Sequence, residues 1–590
     1  RMNNLSRDHS ERETGNECGP PEAALEYIDG AAGQVRPARV RRPGRRSAKI
    51  VRSPGDEMTN EEFKRTLWEA ADKLRGSVAA ATYKYPVLGL VFLKYVSDMF
   101  DAQGRAIRHG VGEPQSPYYV DEESMRAELA EQFAADKTFY DADNVFWVPP
   151  NAHFNALLAQ AAAPDLAQKL DRALGEIEAE NPSLKGVLYR EFSRLELEPG
   201  KLGELMQLLA RLSFDPARHG SRDVFGEVYE YFLGQFALKE GARAGEFYTP
   251  KSVVNLLVEI LAPFKGTIYD PACGSGGMFV QSARFKDAHA PKLKKKGDLA
   301  IHGQEMMAAT RRLALMNLAV HGLSGDLGAT YGDTFSNDQH KMLRADYVLA
   351  NPPFNISDWG GDKLADDPRW VYGIPPKGNA NFAWLQHMLA RLSSRGRAGI
   401  VLANGSMASQ QSGEGDIRRG MVQGDVVECM VACPPQLFAN VQIPVCIWFL
   451  SKDKAAGPNG GIDRRGQILF IDARKAASGR ISRTQIEFTD DDLQRIAQAY
   501  HRWRGTDFSD GNEYADEPGF CFSASLKDVE KHGFVLTPGR YVGAQVEEDD
   551  DEAFNEKMER LTAQLAEQMA KGAKLDAVIR ERLGALGYGI

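Results

Sequence analysis

The sequence predicts an α/β protein: a doubly wound sheet, preceded by a helical N-terminal domain and followed by a helical C-terminal tail. Three observations carry that prediction. Ala345-Asp346-Tyr347-Val348-Leu349-Ala350 has the length and apolarity of a strand buried on both faces, and Asn351-Pro352-Pro353-Phe354 ends it abruptly. Thr267-Ile268-Tyr269-Asp270 is a short strand that runs into the glycine-rich turn Pro271-Ala272-Cys273-Gly274-Ser275-Gly276-Gly277, with a helix behind it. Acids at 270, 305 and 333 stand where the first three strands end, and the Asn-Pro turn stands at the end of the fourth.

Composition bounds the rest. With 590 residues, 43% hydrophobic and 26% charged, the chain is an ordinary globular protein long enough for several cores. No apolar run reaches the roughly 18 residues of a membrane span, and the N-terminus has no apolar signal core. The cysteines at 18, 273, 429, 433, 446 and 521 form neither CxxC pairs nor an even framework, which points to a reducing compartment without structural zinc. Histidines are scattered without HxxxH spacing, so no metal site is predicted. The net charge of −9 is unlike that of a protein gripping a long nucleic acid unaided.

Residues 1–57 lack apolar periodicity, and Ala31 to Gly55 contains arginines, glycines and prolines but no acid. A basic DNA arm or nuclear signal is one interpretation; a disordered leader lying upstream of the natural start is the one adopted. Met58 decides it, because it directly precedes Thr59-Asn60-Glu61-Glu62, a capping box. Helical spacing follows in Phe63, Leu67, Ala70, Ala71 and Leu74, breaks at Tyr85-Pro86, and resumes from Leu88 to Phe100. Residues 58–215 form the predicted helical domain, and Asp223 to Leu233 is a further helix opening a second domain over 216–475.

Gly245-Glu246-Phe247-Tyr248-Thr249-Pro250 is a loop before a helix from Ser252 to Leu261. The glycine turn at 274, 276 and 277 is neither a Walker A loop nor GxGxxG. Leu299 to Gly303 is the second strand, ending at Gln304-Glu305, where doubly wound folds hold ribose hydroxyls. Ala309, Leu313, Met316 and Val320 line a helix face with Gly322 at its C-cap, and Tyr331-Gly332-Asp333 closes the third unit. Lys292 to Lys296 is a solvated basic loop. Ala398 to Ala403 is a fifth strand; Val426 to Val431 and Val445 to Leu450 suggest a hairpin at the sheet edge.

Signals weaken beyond residue 455. Leu469-Phe470-Ile471 is one more strand, and Leu536 to Gly543 is rich in turns, within an extension over 476–545. Residues 546–590 hold an acidic run, Glu547 to Glu552, and a short helix striped with Phe554, Met558, Leu561 and Leu565, a candidate partner dock.

Asn-Pro alone is most often a strand-terminating turn. At the carboxyl edge of a sheet, however, the Asn351 amide and the Pro352 carbonyl can accept hydrogen bonds from a planar –NH2 group, and Phe354 can stack on its ring. The order Gly245–Pro250, Asp270–Phe279, Asn351–Phe354 resembles S-adenosylmethionine-dependent methyltransferases of DNA adenine N6, in particular the modification subunit of type I restriction–modification systems. The resemblance spans roughly residues 58–545 and includes the helical N-terminal domain and Leu536–Gly543.

That resemblance implies a Rossmann-like methyltransferase sheet and S-adenosylmethionine as cofactor. It implies that Gly245, Glu246, Phe247, Tyr248, Thr249, Pro250, Gly274, Ser275, Gly276 and Gly277 line the methionine half, with Asp270 near its amino group. Glu305 matches the ribose acid, Asp333 the acid facing the cofactor's adenine, and Asn351, Pro352, Pro353 and Phe354 the target-base motif. Cys273 is then a packing residue. Implied partners are double-stranded DNA, one specificity subunit flanked by two copies of this chain, and a restriction subunit, in the cytoplasm of a bacterium or archaeon. Two alternatives stand beside it: methylation of a protein glutamine amide or an RNA base, and a non-catalytic cofactor-binding scaffold.

Overall fold

The computed structural model describes residues 64–66, 68, 80–195, 200–215, 224–240, 249–293, 297–438, 444–457, 460–482, 485–543 and 554–585. The expectations for residues 1–57, for the cap at 59–62, for Gly245 to Tyr248 and for the acidic run lie outside them.

Helices come first. α1 (Ala80–Gly110), α2 (Leu166–Glu180), α3 (Lys201–Leu209) and α4 (Val224–Glu240) bury one core, with shorter helices between them. The sequence predicts a break at Tyr85-Pro86, but α1 runs through Pro86. A proline inside a helix costs about 3 kcal/mol. Here Val87, Leu88, Leu90, Val91, Phe92 and Leu93 directly follow it and are all buried, and each contributes about 1.5–3 kcal/mol. Burial outweighs the lost backbone bond.

A nine-stranded sheet follows, built from β1 (Gly266–Asp270), β2 (Leu299–Gly303), β3 (Gly325–Asp326), β4 (Ala345–Ala350), β5 (Leu392–Ala403), β6 (Val427–Ala432), β7 (Val445–Ser451), β8 (Gln467–Asp472) and, beyond a two-stranded ribbon of β9 (Gly479–Arg480) and β10 (Ile486–Glu487), β11 (Cys521–Ser525). Its order is β11-β8-β6-β7-β5-β4-β1-β2-β3. Strands β3-β2-β1-β4-β5 are parallel, and β7 runs antiparallel between β5 and β6. Alternate residues face opposite cores: Leu349, Val401, Ile447 and Leu469 join one, while Val348, Ile400, Trp448 and Phe470 join the other. Helices α5 (Lys251–Leu261), α6 (Gly277–Leu293) and α7 (Ala308–Val320) cover the first face, and α8 (Asn381–Arg391) and α9 (Glu414–Gln423) the second. α7 also reaches the N-terminal core through Leu313 and Met316, and the Tyr229 hydroxyl donates to Leu313 O at 3.1 Å.

Several expectations need correction. The β6–β7 hairpin forms but lies inside the sheet, because β8 pairs with the far side of β6 and β11 makes the edge. The sheet therefore runs past residue 475. Lys292 and Leu293 close α6 instead of opening a loop. The third acid is not at a strand end: β3 stops at Asp326, and Asp333 lies in the loop beyond. The expected short C-terminal helix spans 32 residues, α11 (Phe554–Ala585), numbered after α10 (Asp490–Arg504).

α10 ties the sheet together through a buried polar network. Arg504 Nε donates to Glu428 Oε1 at 2.9 Å with both side chains 0% exposed. The Tyr500 hydroxyl donates to Glu428 Oε2 at 2.9 Å, and Arg397 on β5 donates to the Tyr500 oxygen at 3.1 Å and to Leu261 O of α5 at 2.7 Å. Removing one member leaves the opposite charge buried without compensation. Glu428→Ala is therefore expected to destabilise the protein by about 3–5 kcal/mol in urea unfolding. An unchanged midpoint would contradict this account.

Candidate active site

The chain leaves β1, builds outward through β2 and β3, then returns to β4 on the other side of β1. This reversal is the topological switch point, where open α/β sheets bind ligands beyond the carboxyl ends of their strands. Asp270, Gln304-Glu305 and Asn351 all emerge there, because β4, β1 and β2 are adjacent and parallel.

Asn351 is half-buried, and its Nδ2 donates to Thr249 Oγ1 at 2.8 Å. That bond uses the donor end of the amide and leaves the acceptor end over. Asn351 Oδ1 is buried and has no hydrogen-bond partner among the described residues. A buried acceptor left unmade costs on the order of 1–3 kcal/mol, so a ligand that donates to it recovers that energy. The turn is held from behind. Asn355 sits at φ 55°, its N–H donates to Asn381 Oδ1 at 3.0 Å, and Asn381 Nδ2 returns a bond to Asn355 Oδ1 at 2.9 Å. Pro352 is buried, Pro353 and Phe354 are half-buried, and Phe354 meets Phe438 edge to face at 6.2 Å.

The glycine turn is shaped for close approach. Gly274 has φ 54° and Gly276 φ 79°, a region other residues enter at a cost. A Cβ on Gly274 or Gly277 would meet nothing within 4 Å, so both face open space, whereas one on Gly276 would touch Ala314 of α7 at 3.6 Å. Ser275 O accepts from Asn317 Nδ2 at 2.9 Å. Glu305 spans two turns: Oε2 accepts from Gly274 N at 3.0 Å and Oε1 from Met307 N at 2.8 Å.

Asp270 is buried, and its Oδ1 accepts from Ala272 N at 2.9 Å. Burial pushes its carboxyl pKa up to about 8; the Ala272 N–H opposes the rise and the nearby Glu305 charge adds to it. Asp333 Oδ1 accepts from Phe335 N at 2.5 Å and Ser336 N at 3.0 Å, which caps a turn. Cys273 is buried in the core, where desolvation raises its thiol pKa well above the ordinary value.

Sequence reasoning passes over three supporting residues. Gln304 is fully buried and binds Gly332 O at 3.1 Å, Asn337 O at 2.8 Å and Gln339 N at 3.1 Å, so it fixes the loop carrying Asp333 to the end of β2. Asn317 and Asn381 brace the glycine turn and the Asn-Pro turn. No local pattern marks any of them.

The N-6 DNA Methylase family model matches residues 220–550, and the HsdM N-terminal domain model matches residues 63–209. The chain is 47% identical to the type I restriction enzyme HindI methylase subunit of Haemophilus influenzae, over 72% of this chain and 93% of that protein. The chain belongs to the N-6 DNA methylase family, among the type I methylase subunits. A second member, the MjaIX methylase subunit of Methanocaldococcus jannaschii, is 35% identical over 89% of this chain and 92% of its own length. The crystal structure of a type I restriction-modification methyltransferase subunit from Streptococcus thermophilus superposes with a TM-score of 0.64 at 25% identity, over 82% of this chain and all of that one. The expected fold class is thus the one observed. As a family member this protein is an enzyme, a methyltransferase of adenine N6 in DNA. These relatives give no support to a protein or RNA substrate, or to a non-catalytic scaffold.

Proposed function

We propose that this methylase subunit uses S-adenosylmethionine to methylate an adenine swung out of double-stranded DNA, with Asn351, Pro352, Pro353 and Phe354 as the target-base site. The observation that carries this is the Asn351 amide. Its donor end is held by Thr249, and its buried oxygen awaits a donor. An adenine N6 amino group offers two N–H bonds, one for Asn351 Oδ1 and one for the Pro352 carbonyl. Both acceptors draw the nitrogen out of conjugation with the ring, which exposes its lone pair, and rigid placement supplies much of the rate. Phe354 stacks on the base once it has left the helix.

The cofactor fits the residues beside this turn. Gly274 and Gly277 leave room at the backbone, Asp270 offers a carboxyl for an amino group, and Glu305 presents a carboxylate at the end of β2 as the acceptor for ribose hydroxyls. Asp333 offers its second carboxylate oxygen to an adenine amine, and Thr249, Pro250, Ser275 and Gly276 belong to the set; Gly245-Glu246-Phe247-Tyr248 joins it on its sequence motif alone. S-adenosylmethionine, when bound, supplies an electrophilic methyl group on a sulfonium.

The chain carries a net charge of −9, and residues 1–57 hold 11 basic and nine acidic groups, which leaves the rest at −11. Such a surface binds a specific DNA sequence weakly on its own at physiological salt. A separate specificity subunit, flanked by two copies of this chain in the cytoplasm and joined by a restriction subunit, supplies the recognition. Helix α11 is its dock: Met558, Leu565, Met569 and Leu575 are exposed. No helix among the described residues is long and apolar enough to cross a membrane. The test is transfer of labelled methyl to DNA by the chain alone, by the chain with the neighbouring specificity protein, and by a chain lacking residues 546–590. Robust site-specific methylation by the lone chain would refute the partner requirement. Full activity of the truncated chain in the complex would refute only the dock.

A further inference from the structure

Away from the catalytic turn, the fold gathers three side chains that the sequence keeps apart. His302 on β2 and Asp326 on β3 are register partners across two parallel strands. His340, buried in the segment before β4, meets the His302 ring edge to face, with centroids 5.6 Å apart at 81°. One donor atom from each of the three lies within 4.8 Å of the other two.

We propose that His302, Asp326 and His340 form a binding site for a divalent transition metal of the zinc type. His302 presents an atom that hydrogen bonding leaves over, and hydrogen bonds hold the other two side chains in place beside it. His302 Nδ1 is buried without a hydrogen bond among the described residues, and Asp326 Oδ2 stands 3.8 Å from it, too far for one. Ligand atoms about 2.0–2.1 Å from a tetrahedral ion stand roughly 3.4 Å apart, so small side-chain rotations bring this pair to bonding positions. Asp326 is anchored for the task, because its Oδ1 accepts from Gly328 N at 2.9 Å. His340 Nε2 lies 2.8 Å from Gly303 O. A carbonyl behind one ring nitrogen holds the proton there and leaves the lone pair on the other, the arrangement that orients metal-binding histidines. Two imidazoles and a carboxylate suit zinc, with a fourth position for water. Asp326 is 61% exposed, which gives an ion a path from solvent.

A metal here would clip β2, β3 and the loop preceding β4 together, directly before Glu305. Any effect on cofactor affinity therefore rests on the function proposed above, whereas the site itself does not. The experiment strips the full-length protein with chelator and titrates it with Co2+, following the visible d–d absorption, then displaces the cobalt with Zn2+. The expected result is saturable binding of one ion per chain, loss of the band in His302→Gln, and affinity weakened by about tenfold or more in Asp326→Asn. Asp326→Asn changes a mostly exposed side chain, so the test survives if His302→Gln folds poorly. Absence of a saturable band, or the same band and affinity in both folded variants, would show a metal-free ion pair and overturn the proposal. The cobalt band needs neither cofactor nor DNA, so it fails or succeeds independently of the methyl-transfer assignment.

Discussion

Asn351→Ala is expected to slow methyl transfer by roughly 10²–10³-fold while cofactor affinity stays near that of the parent. The amide oxygen is the one buried acceptor at the turn without a partner among the described residues, and its hydrogen bond strengthens as the N6 nitrogen gains charge. Interactions that strengthen in the transition state raise kcat without tightening substrate binding. Single-turnover rates with the complete complex, beside calorimetric cofactor binding, separate the two effects. Near-parental turnover would eliminate Asn351 as the base acceptor. Thr249→Val is the companion variant. It keeps the size of Thr249 but removes the oxygen that holds Nδ2 at 2.8 Å, so the amide loses its orientation. A loss of about tenfold in kcat is expected, the equivalent of one buried hydrogen bond.

Asp270 is expected to make cofactor binding strongly dependent on pH. Its carboxyl is buried, and burial first, the Glu305 charge after it, lift its pKa to about 8. At pH 7 the carboxyl is mostly protonated in the free protein. Pairing with the cationic amino group of the cofactor requires the carboxylate, so binding releases a proton. Affinity should therefore rise by up to about tenfold per pH unit as pH approaches 8, and level off above it. Calorimetry in two buffers of different ionisation enthalpy detects the proton directly. Asp270→Asn should bind more weakly and without the slope; an unaltered slope in that variant would assign the proton elsewhere. The same shift has a consequence for folding. The folded pKa lies above the ordinary carboxyl value of 3.8, so the unfolded chain gives up this proton first. The ligand-free protein thus loses stability as pH rises from about 4 through about 8, by a few kcal/mol, and Asp270→Asn should remove that loss.

Much of the sheet's carboxyl edge is legible because its signals are local. A proline pair cannot continue a strand, glycines permit positive φ, and an apolar run of six residues reads as a buried strand wherever it lies. Other local signals exist but are easily passed over. Thr489 and Asp492 form a capping box at the start of α10, and Gly505 takes φ 62° at its end, yet without them the extension past 475 shows no helix here. Val445 to Leu450 is continuously apolar, the pattern of an interior strand, and β7 is buried at every position. Its continuous apolarity therefore places the hairpin inside the sheet, where β8 pairs with the far side of β6. Pro86 misleads in the opposite direction, since a local breaker yields to the buried face that follows it.

The strand–turn–helix units, the glycine and Asn-Pro turns, the order of the motifs and the family they belong to can all be read along the chain. Each depends on residues within a few positions of one another, where backbone geometry and hydrogen bonding act directly. Which side chains meet across the fold is settled in three dimensions. Thr249 reaches Asn351 from 102 residues away, Asn381 braces Asn355 from the start of α8, and His302, Asp326 and His340 converge from two strands and a loop. Their positions follow from strand order and register, which are set by the packing of two cores against one sheet. No spacing along the chain encodes that packing, because the partners are brought together by burial of residues far from either of them.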